Sequence, residues 1–584
     1  MKKRLFVLPL VCLLALGYMT FTDYSHQNDT LYFGGDIITM HDSTDRAEAI
    51  HVRDGKIIAL GRKNDLLKNI PNQTQLVDLQ GKTLLPGFFD AHGHFDLATV
   101  FGGMVDISGI KYRNPKEVWQ IMEEESRKGE AGKWLFFYGF DPILTKGISS
   151  PTIHYLDSIA PDKPVVVITK ALHVFYANRL AFKELGLSDK TPDPSKMSYY
   201  ERDAQGKLTG GIIEQGAIEP FRKKIQEIAK QEFVGNTQKV LDEYASYGVT
   251  SAVNMGLTNA NKNILSLYEH LAAEKSKPLY KFLALMGKLP KRRPSQRLFL
   301  YLRKENDELL PESPDNGDDF YKIMGIKFWY DGSPYAGSMY VKQPYIRSKF
   351  TENDLHLTPN HTSHSILKPD ELEKYIKKYQ SKGWKVAVHA QGDMAGDEVM
   401  EVFEKLHQQS PISSHRHRIE HCMLLPAARA KSMKAMNVSP SFHINHLLYY
   451  GEFLGSDILG AQRANLIFPI RSVAEAGIPY SVHADMPQFI PNPLSLAGTS
   501  VHRTTQDGLV LNAAEKVSGW QALKSITIEA AWQLNLETKL GSLEKGKYAD
   551  LVILDANPLK TAPEQWTSIK VMETVVAGNT IWKR

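Results

Sequence analysis

The middle of the chain alternates short apolar runs with amphipathic stretches, and this alternation constrains the fold more than any other feature. The run GWKVAVHAQGD is followed by GDEVMEVFEKLHQQ, and RHRIEHCML is followed by PAARAKSMKAM. Such alternation is typical of βαβ units around a parallel sheet, and a barrel of these units uses about 30 residues for each. His421 lies 32 residues after His389, and Asp485 lies 64 residues after His421. Polar residues therefore recur in phase with predicted strand ends, and we predict an α/β fold built on a (β/α)8 barrel.

Both ends of the chain read as short strands separated by turns. TLYFGGDIITM, AEAIHVRDGKIIALG and QLVDLQGKTLLPG stand near the start, and GSLEKGKYADLVILD and IKVMETVVAGNTIWKR close the chain. Neither end has enough strands for a domain of its own, so we predict one small composite β-sandwich domain from residues 29–85 and 540–584. The barrel would then occupy residues 86–539. The 233 residues from His94 to Lys327 exceed what three units need, which predicts a large insertion after the first barrel strand, at about residues 100–240.

The first residues have the layout of a secretory signal. Three basic residues at positions 2–4 precede an apolar run from Leu5, and this order is typical of such signals. An uncleaved membrane anchor is the alternative, because apolar character continues to Phe21 and approaches the length that spans a bilayer. We predict a signal peptide or anchor at residues 1–24 and an exported protein, periplasmic or extracellular. Any membrane attachment would be made through this segment only.

The charge balance argues against a nucleic-acid partner. Lys and Arg outnumber Asp and Glu by 70 to 65, a formal net charge of +5, and the basic residues look dispersed along the chain. Nucleic-acid binding requires a concentrated basic surface. The two cysteines are Cys12 and Cys422, and cleavage of the leader would leave one, so no internal disulfide is expected.

Metal-ligating side chains stand at the predicted strand ends. In LLPGFFDAHGHF, residues 84–95, two histidines at i and i+2 leave the same face of a strand. That pair alone is weak evidence, because a chain with 20 histidines produces about one such pair by chance. Four imidazoles and a carboxylate together suit zinc, with manganese, iron or nickel as alternatives. The full set is His92, His94, Lys327 in GIKFWYDGS, His389 in KVAVHAQGD, His421 in RIEHC and Asp485 in SVHADMP.

These motifs resemble the amidohydrolase superfamily, and they look most like its branch of N-substituted formamide deformylases. The resemblance rests on LLPGFFDAHGHF, YDGS, HAQGD, RIEHC and LGSLEKGKYADLVILD, which occur in this order over nearly the whole chain after the leader. It implies a barrel that carries a metal-dependent hydrolase.

The resemblance also implies roles for the six residues, with one or two divalent ions, zinc first. Lys327 would react with carbon dioxide to form a carbamate that bridges two ions, because a cationic lysine would be repelled there. Asp485 would take the proton of the attacking water and return it to the departing amine. The alternatives are polar core residues and an ordinary ion-paired lysine. The expected ligands are His92, His94 and Asp485 for one ion and His389 and His421 for the other.

Five further residues are candidate substrate contacts: His173 and Asn178 in ALHVFYANRLAF, Glu214 in GGIIEQ, Asp331 in YDGS and His483 in SVHADMP. The first three match segments of the resembling branch and have a structural role as the alternative. Asp331 begins a loop that should shape the pocket. His483 shares a strand face with Asp485 and could instead orient that carboxylate. The pair His415 and His417 precedes its strand, and we expect it to face solvent.

The sequence therefore predicts a metal-dependent hydrolase of amide-type C–N bonds in a small molecule. N-formyl or other N-acyl amines are the first substrate class by resemblance, and cyclic amides or imides are the enzymatic alternative. An exported binding protein that keeps the barrel without turnover is the alternative of a different class. All six candidate ligand positions are filled, which favours catalysis. The sequence leaves a homo-oligomer open.

Overall fold

A computed structural model describes residues 28–44, 47–196, 198–258 and 260–584. The predicted leader at residues 1–24 lies outside these ranges. In chain order the strands are β1 (Asp29–Ile37), β2 (Ala47–Arg53), β3 (Lys56–Gly61), β4 (Gln75–Asp78), β5 (Thr83–Pro86), β6 (Phe88–Gly93), β7 (Val105–Asp106), β8 (Leu135–Phe140), β9 (Val165–Thr169), β10 (Val174–Ala177), β11 (Tyr199–Arg202), β12 (Leu208–Ile213), β13 (Val249–Leu257), β14 (Arg297–Arg303), β15 (Tyr321–Trp329), β16 (Lys385–Ala390), β17 (Arg418–His421), β18 (Ser439–Phe442), β19 (Ser481–Val482), β20 (Leu551–Leu554), β21 (Val571–Val576) and β22 (Asn579–Lys583).

Helices follow most of the barrel strands and also occur between Leu97 and Val240. Within the described ranges, no helix combines the length and the apolar character that a bilayer span requires. The α-helices are α1 (Lys63–Leu67), α2 (Phe95–Phe101), α3 (Pro115–Ser126), α4 (Ile153–Ile159), α5 (Arg179–Glu184), α6 (Glu214–Ser246), α7 (Lys262–Ala272), α8 (Pro278–Leu285), α9 (Pro369–Gln380), α10 (Asp393–Gln409), α11 (Ala430–Met436), α12 (Asn445–Phe453), α13 (Ala461–Ala464), α14 (Ile470–Glu475), α15 (Pro493–His502), α16 (Gly519–Ser525) and α17 (Ile528–Gln533).

Eight parallel strands form the barrel that the alternating pattern predicts. They pair in the order β6, β13, β14, β15, β16, β17, β18 and β19. Backbone hydrogen bonds just beyond β19 bring the two edges together, because Asp485 N–H donates to the His92 carbonyl at 3.2 Å and His94 N–H donates to the Met486 carbonyl at 2.7 Å. Strands β13 and β16 are buried along their whole length, as expected where a parallel strand is covered on both faces. The predicted α/β barrel class is confirmed.

Apolar side chains fill the barrel toward its amino end. Phe89, Val253 and Phe299 are buried there and pack in one cluster with Ala530 of α17 and with Leu534. The polar residues at the strand ends are thereby left to the opposite end, where the carboxyl ends of parallel strands meet.

The expectation that His415 and His417 face solvent is wrong for His417. Its side chain is buried, its Nδ1 accepts a hydrogen bond from Val386 N–H at 3.1 Å, and its ring stacks on Phe403 of α10. His415 is half-buried and bonds the Gln380 carbonyl at 3.0 Å. Phe403 of α10 and Gln380 of α9 contact these two histidines at the amino end of β17, so His417 is enclosed and His415 is partly covered.

The strands at both ends of the chain form one sheet. It runs in the order β22, β21, β20, β5, β1, β2, β3, with β4 paired to β1. The antiparallel pairing of β5 with β20 joins the two ends. Buried apolar residues of both ends, including Ile50, Leu84 and Leu551, pack in one cluster. A buried ion pair links this sheet domain to the barrel, since Arg297 of β14 donates to Asp550 at 2.7 and 2.8 Å.

Contacts divide the chain into two compact units, Leu97–Val240 and the remainder. The Leu97–Val240 unit follows the first barrel strand and contains a six-stranded sheet in the order β11, β12, β10, β9, β8, β7. Buried apolar residues such as Phe136, Val166 and Phe221 form its core.

Candidate metal centre

The carboxyl ends of the barrel strands bring the predicted ligand residues to one edge. His92 lies at the end of β6, Lys327 near the end of β15, His389 near the end of β16, and His421 ends β17. Asp485 follows β19 and is held beside β6 by its backbone hydrogen bond to the His92 carbonyl. The side chains of distant segments therefore meet because the strands that carry them are parallel and adjacent.

His92, His94 and Asp485 converge on one point. Nε2 of His92 lies 3.4 Å and Nε2 of His94 lies 3.3 Å from Oδ1 of Asp485. Oδ1 of Asp485 and Nε2 of His92 are buried, and no hydrogen-bond partner for either atom lies within the described chain. Buried polar atoms without a partner are costly. Lone pairs from imidazole and carboxylate groups are the ones that a divalent ion would satisfy.

His421 extends this cluster. Its ring centroid lies 4.2 Å from that of His389. However, none of the three-residue groups of close ligand atoms found among the described residues includes His389. Atoms within 4.8 Å of one another come from three groups: His92, His94 and Asp485; His92, His421 and His483; and His421, His443 and Asp485.

Three imidazoles are held by a hydrogen bond on the nitrogen that faces away from the cluster. Such a bond fixes the ring orientation and the tautomer, and it leaves the other nitrogen available to a metal. That other nitrogen, Nε2, is buried without a partner in the described chain for both His92 and His483. The bonds from Nδ1 are His92 to Glu420 at 2.6 Å, His389 to Asp331 at 2.9 Å and His483 to Ser441 at 2.7 Å.

Glu420 is itself held by Arg418. The Nε of Arg418 donates to Oε1 at 2.7 Å and its Nη2 donates to Oε2 at 3.0 Å, and neither side chain is exposed to solvent. Burial acts to raise the pKa of Glu420, but the charges of Arg418 and His92 outweigh it and lower the pKa to about 2. A carboxylate therefore stays ionised behind His92.

The side-chain amine of Lys327 lies near the candidate ligands without a hydrogen-bond partner in the described chain. Its Nζ is buried. Burial lowers the pKa of Lys327 to about 8. Nζ lies 5.2 Å from the ring centroid of Trp329, which also contacts the guanidinium of Arg303 at 4.8 Å. A Cβ at Gly256 would come within 2.8 Å of Trp329 and 3.2 Å of Lys327 Cγ, so glycine leaves room for both side chains.

The protonation states of the cluster suit metal binding. Burial lowers the pKa of His92, and it holds the pKa values of His421 and His483 well below their usual range. Burial acts to raise the pKa of Asp485, but the imidazoles of His92 and His94, whose Nε2 atoms lie 3.4 and 3.3 Å from Oδ1, hold it well below its usual value. Neutral imidazoles beside an ionised carboxylate are the forms that ligate divalent ions.

The backbone at two candidate ligands is strained. His421 has φ 72° and Asp485 has φ 56°, which is the left-handed region that non-glycine residues rarely occupy. Such conformations cost about 1–3 kcal/mol each and cluster at functional sites, where the surrounding structure imposes them.

Asp331 does not have the predicted place in a substrate pocket. It is fully buried, and its Oδ1 accepts from Nδ1 of His389 and from Gln391 N–H, both at 2.9 Å. Its Oδ2 accepts from Gly392 N–H at 2.9 Å and Tyr340 N–H at 3.1 Å. Both oxygens are occupied, so Asp331 positions His389 and the following loop.

The predicted substrate contact at Asn178 is wrong. The residue is 1% exposed. Its Oδ1 accepts from Val165 N–H and from Ala181 N–H at the start of α5, each at 3.0 Å. Its amide nitrogen donates to the carbonyls of Ala160 at 3.2 Å and Lys163 at 2.8 Å. Every polar atom is satisfied by backbone, and the role is structural.

His173 and Glu214 face each other within the Leu97–Val240 unit. Nδ1 of His173 lies 3.2 Å from both carboxylate oxygens of Glu214, and the side chains are 44% and 42% exposed. The pair is accessible, and its contact with substrate stays a prediction.

Sequence reasoning missed His443. The residue follows β18, and its Nδ1 lies 3.9 Å from Oδ2 of Asp485. The signal was present, because His443 stands at a strand end between His421 and Asp485. The strand Ser439–Phe442 is hard to recognise from the sequence, because it is only four residues long and contains Pro440.

Comparisons with known proteins cover almost the whole chain. Residues 75–582 match the model of the amidohydrolase family. The chain is 24% identical to an N-substituted formamide deformylase of Arthrobacter pascens over 95% of this chain and 98% of that protein. It is 27% identical to Protein LONG AFTER FAR-RED 3 of Arabidopsis thaliana over 95% of this chain and 91% of that protein. The crystal structure of an uncharacterized metal-dependent hydrolase from Pyrococcus horikoshii has the same fold, with a TM-score of 0.69, 24% identity, and coverage of 92% of this chain and 99% of that one.

Proposed function

Because the chain belongs to the amidohydrolase family, as its motifs indicated, we propose that it is a metal-dependent hydrolase of amide-type C–N bonds in a small molecule. N-formyl or other N-acyl amines are the substrate class we propose first, since a similar protein is named an N-substituted formamide deformylase. One observation carries the proposal: the ligand nitrogens of His92, His421 and His483 lie within 4.8 Å of one another, His92 also groups with His94 and Asp485, and Nε2 of His92 and Oδ1 of Asp485 are buried without a partner in the described chain. From the signal-like N-terminal sequence we also propose that the enzyme is exported.

The donor set fits one or two divalent ions, with zinc as the first choice. A bound ion would supply a water of lowered pKa and a Lewis acid for the substrate carbonyl. The fit rests on buried lone pairs that nothing else in the described chain satisfies. We propose His92, His94 and Asp485 for one ion, and His421 with His389 or His443 for a second.

We also propose that Lys327 carries a carbamate. The neutral Nζ would attack the carbon of carbon dioxide, an N–C bond would form, and one proton would be released, so that the side chain becomes an anion. The buried, unpartnered Nζ supports this assignment, since a cationic ammonium there would have no counter-charge in hydrogen-bond contact. The anionic product could join the imidazoles as an oxygen ligand.

Asp485 is the residue to which we assign proton transfer. Its carboxylate is ionised, and 14% of its side chain is exposed, whereas the His92 side chain is fully buried. The carboxylate is therefore on the accessible side of the cluster. It would accept the proton of the attacking water and return it to the departing amine.

The test of activity is release of amine, formate or ammonia from a panel of N-formyl, N-acyl and cyclic imide compounds. Protein loaded with zinc should turn over at least one N-acyl compound, chelator should abolish that turnover, and Asp485→Asn should lack it. Metal binding without turnover across the panel would favour the binding protein instead.

The test of the bridge is metal content after loading with zinc and bicarbonate. Lys327→Ala should lose bound metal in atomic absorption. Lys385→Met is the matched control, because Lys385 is also a buried barrel lysine but bonds the Gln533 carbonyl at 2.8 Å. Undiminished loading of Lys327→Ala would refute the bridging role.

A further inference from the structure

Helix α8 presents an exposed apolar surface. Leu279, Phe282, Leu285 and Met286 are 61%, 42%, 47% and 60% exposed. Spacings of three and four residues place these side chains on one side of the helix. They make up four of the twelve large hydrophobic residues that are exposed in the described chain, so the exposure is concentrated rather than scattered. We call these four residues the α8 patch.

The other side of α8 is fixed to the protein. Tyr280 Oη donates to Ser266 Oγ of α7 at 3.1 Å, and its ring lies edge-on to that of His270. Lys281 is only 8% exposed. The helix therefore has a buried side and an apolar outer side, which is the reverse of the usual arrangement at a protein surface.

Basic residues flank the α8 patch along the chain. Residues 275–293 contain seven Lys and Arg and no Asp or Glu. The whole chain has a formal charge of +5, so the residues outside this segment sum to −2. The expectation that basic residues are dispersed is wrong here. Lys277 and Arg293 pair with carboxylates. Three others are exposed and have no ion-pair partner in the described chain: Lys275, Lys288 and Lys291.

We propose that the α8 patch docks on the surface of an anionic lipid bilayer. Apolar side chains flanked by unpaired lysines are typical of helices that lie in the membrane interface, with the apolar groups at the acyl boundary and the lysines among the headgroups. This surface is separate from the candidate metal centre and does not depend on the proposed reaction.

A second copy of this chain fits the α8 patch less well. Four half-exposed apolar side chains offer on the order of 400 Å², about half of the roughly 800 Å² that each partner buries in a stable interface. Two copies of α8 facing each other would also bring two clusters of unpaired lysines together. A bilayer has no minimum area of this kind, and its anionic headgroups match the lysines.

The test is whether the α8 patch itself enters lipid. A nitroxide is attached at Leu285→Cys in the full chain with Cys12→Ser, since the remaining Cys422 is buried. Leu466→Cys is the control, because Leu466 is 61% exposed. With vesicles of phosphatidylcholine and phosphatidylglycerol, the label at 285 should lose accessibility to a water-soluble nickel chelate and gain accessibility to oxygen. The label at 466 should not change. This readout is specific to position and so is independent of any anchoring by residues 1–24.

Two outcomes would overturn the proposal. One is an unchanged label at 285 with these vesicles. The other is protection of the label that grows with protein concentration in the absence of lipid, which would assign the patch to a second copy.

A charge variant tests the contribution of the lysines. Each basic residue near an anionic surface contributes roughly fivefold, about 1 kcal/mol, to binding. Lys288→Glu with Lys291→Glu should therefore lower the equilibrium constant for immersion of the label at 285 by at least about 25-fold. The control is Lys516→Glu with Lys545→Glu, which changes net charge equally at exposed positions elsewhere. An equal decrease in both variants would show that net charge, not this surface, drives binding, and would overturn the proposal.

Discussion

Glu420→Gln should uncouple His92 from metal binding, because it removes the buried charge and keeps the side-chain size. Oε2 of Glu420 accepts from both Nδ1 of His92 and Nη2 of Arg418, and Oε1 accepts from Nε of Arg418. In glutamine, one of these positions becomes an NH2 group. At the Oε2 position it would donate to Nδ1 of His92, so the ring proton would move to Nε2 and block the lone pair that faces the cluster. At the Oε1 position it would face the Nε–H of Arg418, donor against donor.

The cost follows from the burial of the pair. Arg418 and Glu420 have side chains with no exposed surface, and two unit charges about 4 Å apart interact by about 4 kcal/mol at an effective dielectric constant of about 20. Removing one member of a buried pair costs about 3–5 kcal/mol, because the other charge stays buried without compensation. We expect this loss in the free energy of unfolding of the metal-free protein. We expect zinc affinity to fall about 10–100-fold, as for other residues that orient a metal-binding histidine.

Urea unfolding of the metal-free protein measures the first quantity, and competition with a chromogenic chelator measures the second. Glu529→Gln is the matched control. Glu529 is a largely buried carboxylate that pairs with Lys524 at 2.7 Å and accepts from Tyr480 N–H at 3.2 Å. This variant should lose stability and keep its zinc affinity. If Glu420→Gln keeps the zinc affinity of the unmodified protein, the argument that Glu420 sets the tautomer of His92 is refuted.

Three further substitutions test other parts of the structure. Gly93→Ala would place a Cβ 2.6 Å from both Asp90 Oδ2 and Tyr244 Oη, so we expect a loss of about 1–3 kcal/mol in unfolding free energy and reduced zinc content in atomic absorption. Asp331→Ala leaves the buried backbone N–H groups of Gln391 and Gly392, and the half-buried one of Tyr340, without their acceptor, and urea unfolding should show a loss of at least about 2 kcal/mol. Asn178→Ala removes a helix cap and should lower the melting temperature by the equivalent of about 2 kcal/mol while KM stays unchanged; a raised KM at unchanged stability would restore the substrate role.

The barrel was predictable because parallel strands that are buried on both faces read as apolar runs at a regular interval. The 32 residues between His389 and His421 correspond to one strand and one helix, namely β16 and α10 before β17. The same logic did not find β18, because a short segment with a proline has no apolar run. His443 was therefore missed, and it lies only 22 residues after His421, so the interval of 32 residues does not point to it either.

The residues that hydrogen-bond to the candidate ligands were harder to predict. Glu420 and His421 are neighbours in the sequence and both contact His92, although neighbouring residues of a regular strand point to opposite faces. The left-handed backbone at His421, φ 72°, departs from strand geometry and is not visible in the sequence. Asp331 was placed in a substrate pocket from its position in a loop, yet the loop folds back so that its carboxylate faces His389. The course of this loop depends on hydrogen bonds across 60 residues of chain, such as the one that Gln391 N–H donates to Oδ1 of Asp331, and local patterns do not carry that information.

The net charge of this chain does not show how charge is distributed over its surface. Screening limits the interaction of exposed charges to about 8–10 Å at physiological ionic strength, so a partner responds to the local density of lysines and not to a net charge of +5. Residues 275–293 therefore have the local positive charge that binding to a polyanion requires. The small net charge of the whole chain had argued against such a partner. The apolar side chains then distinguish the partner. Nucleic acid offers phosphates but no apolar phase, so binding it would leave Leu279 and Met286 in water, whereas an anionic bilayer offers both.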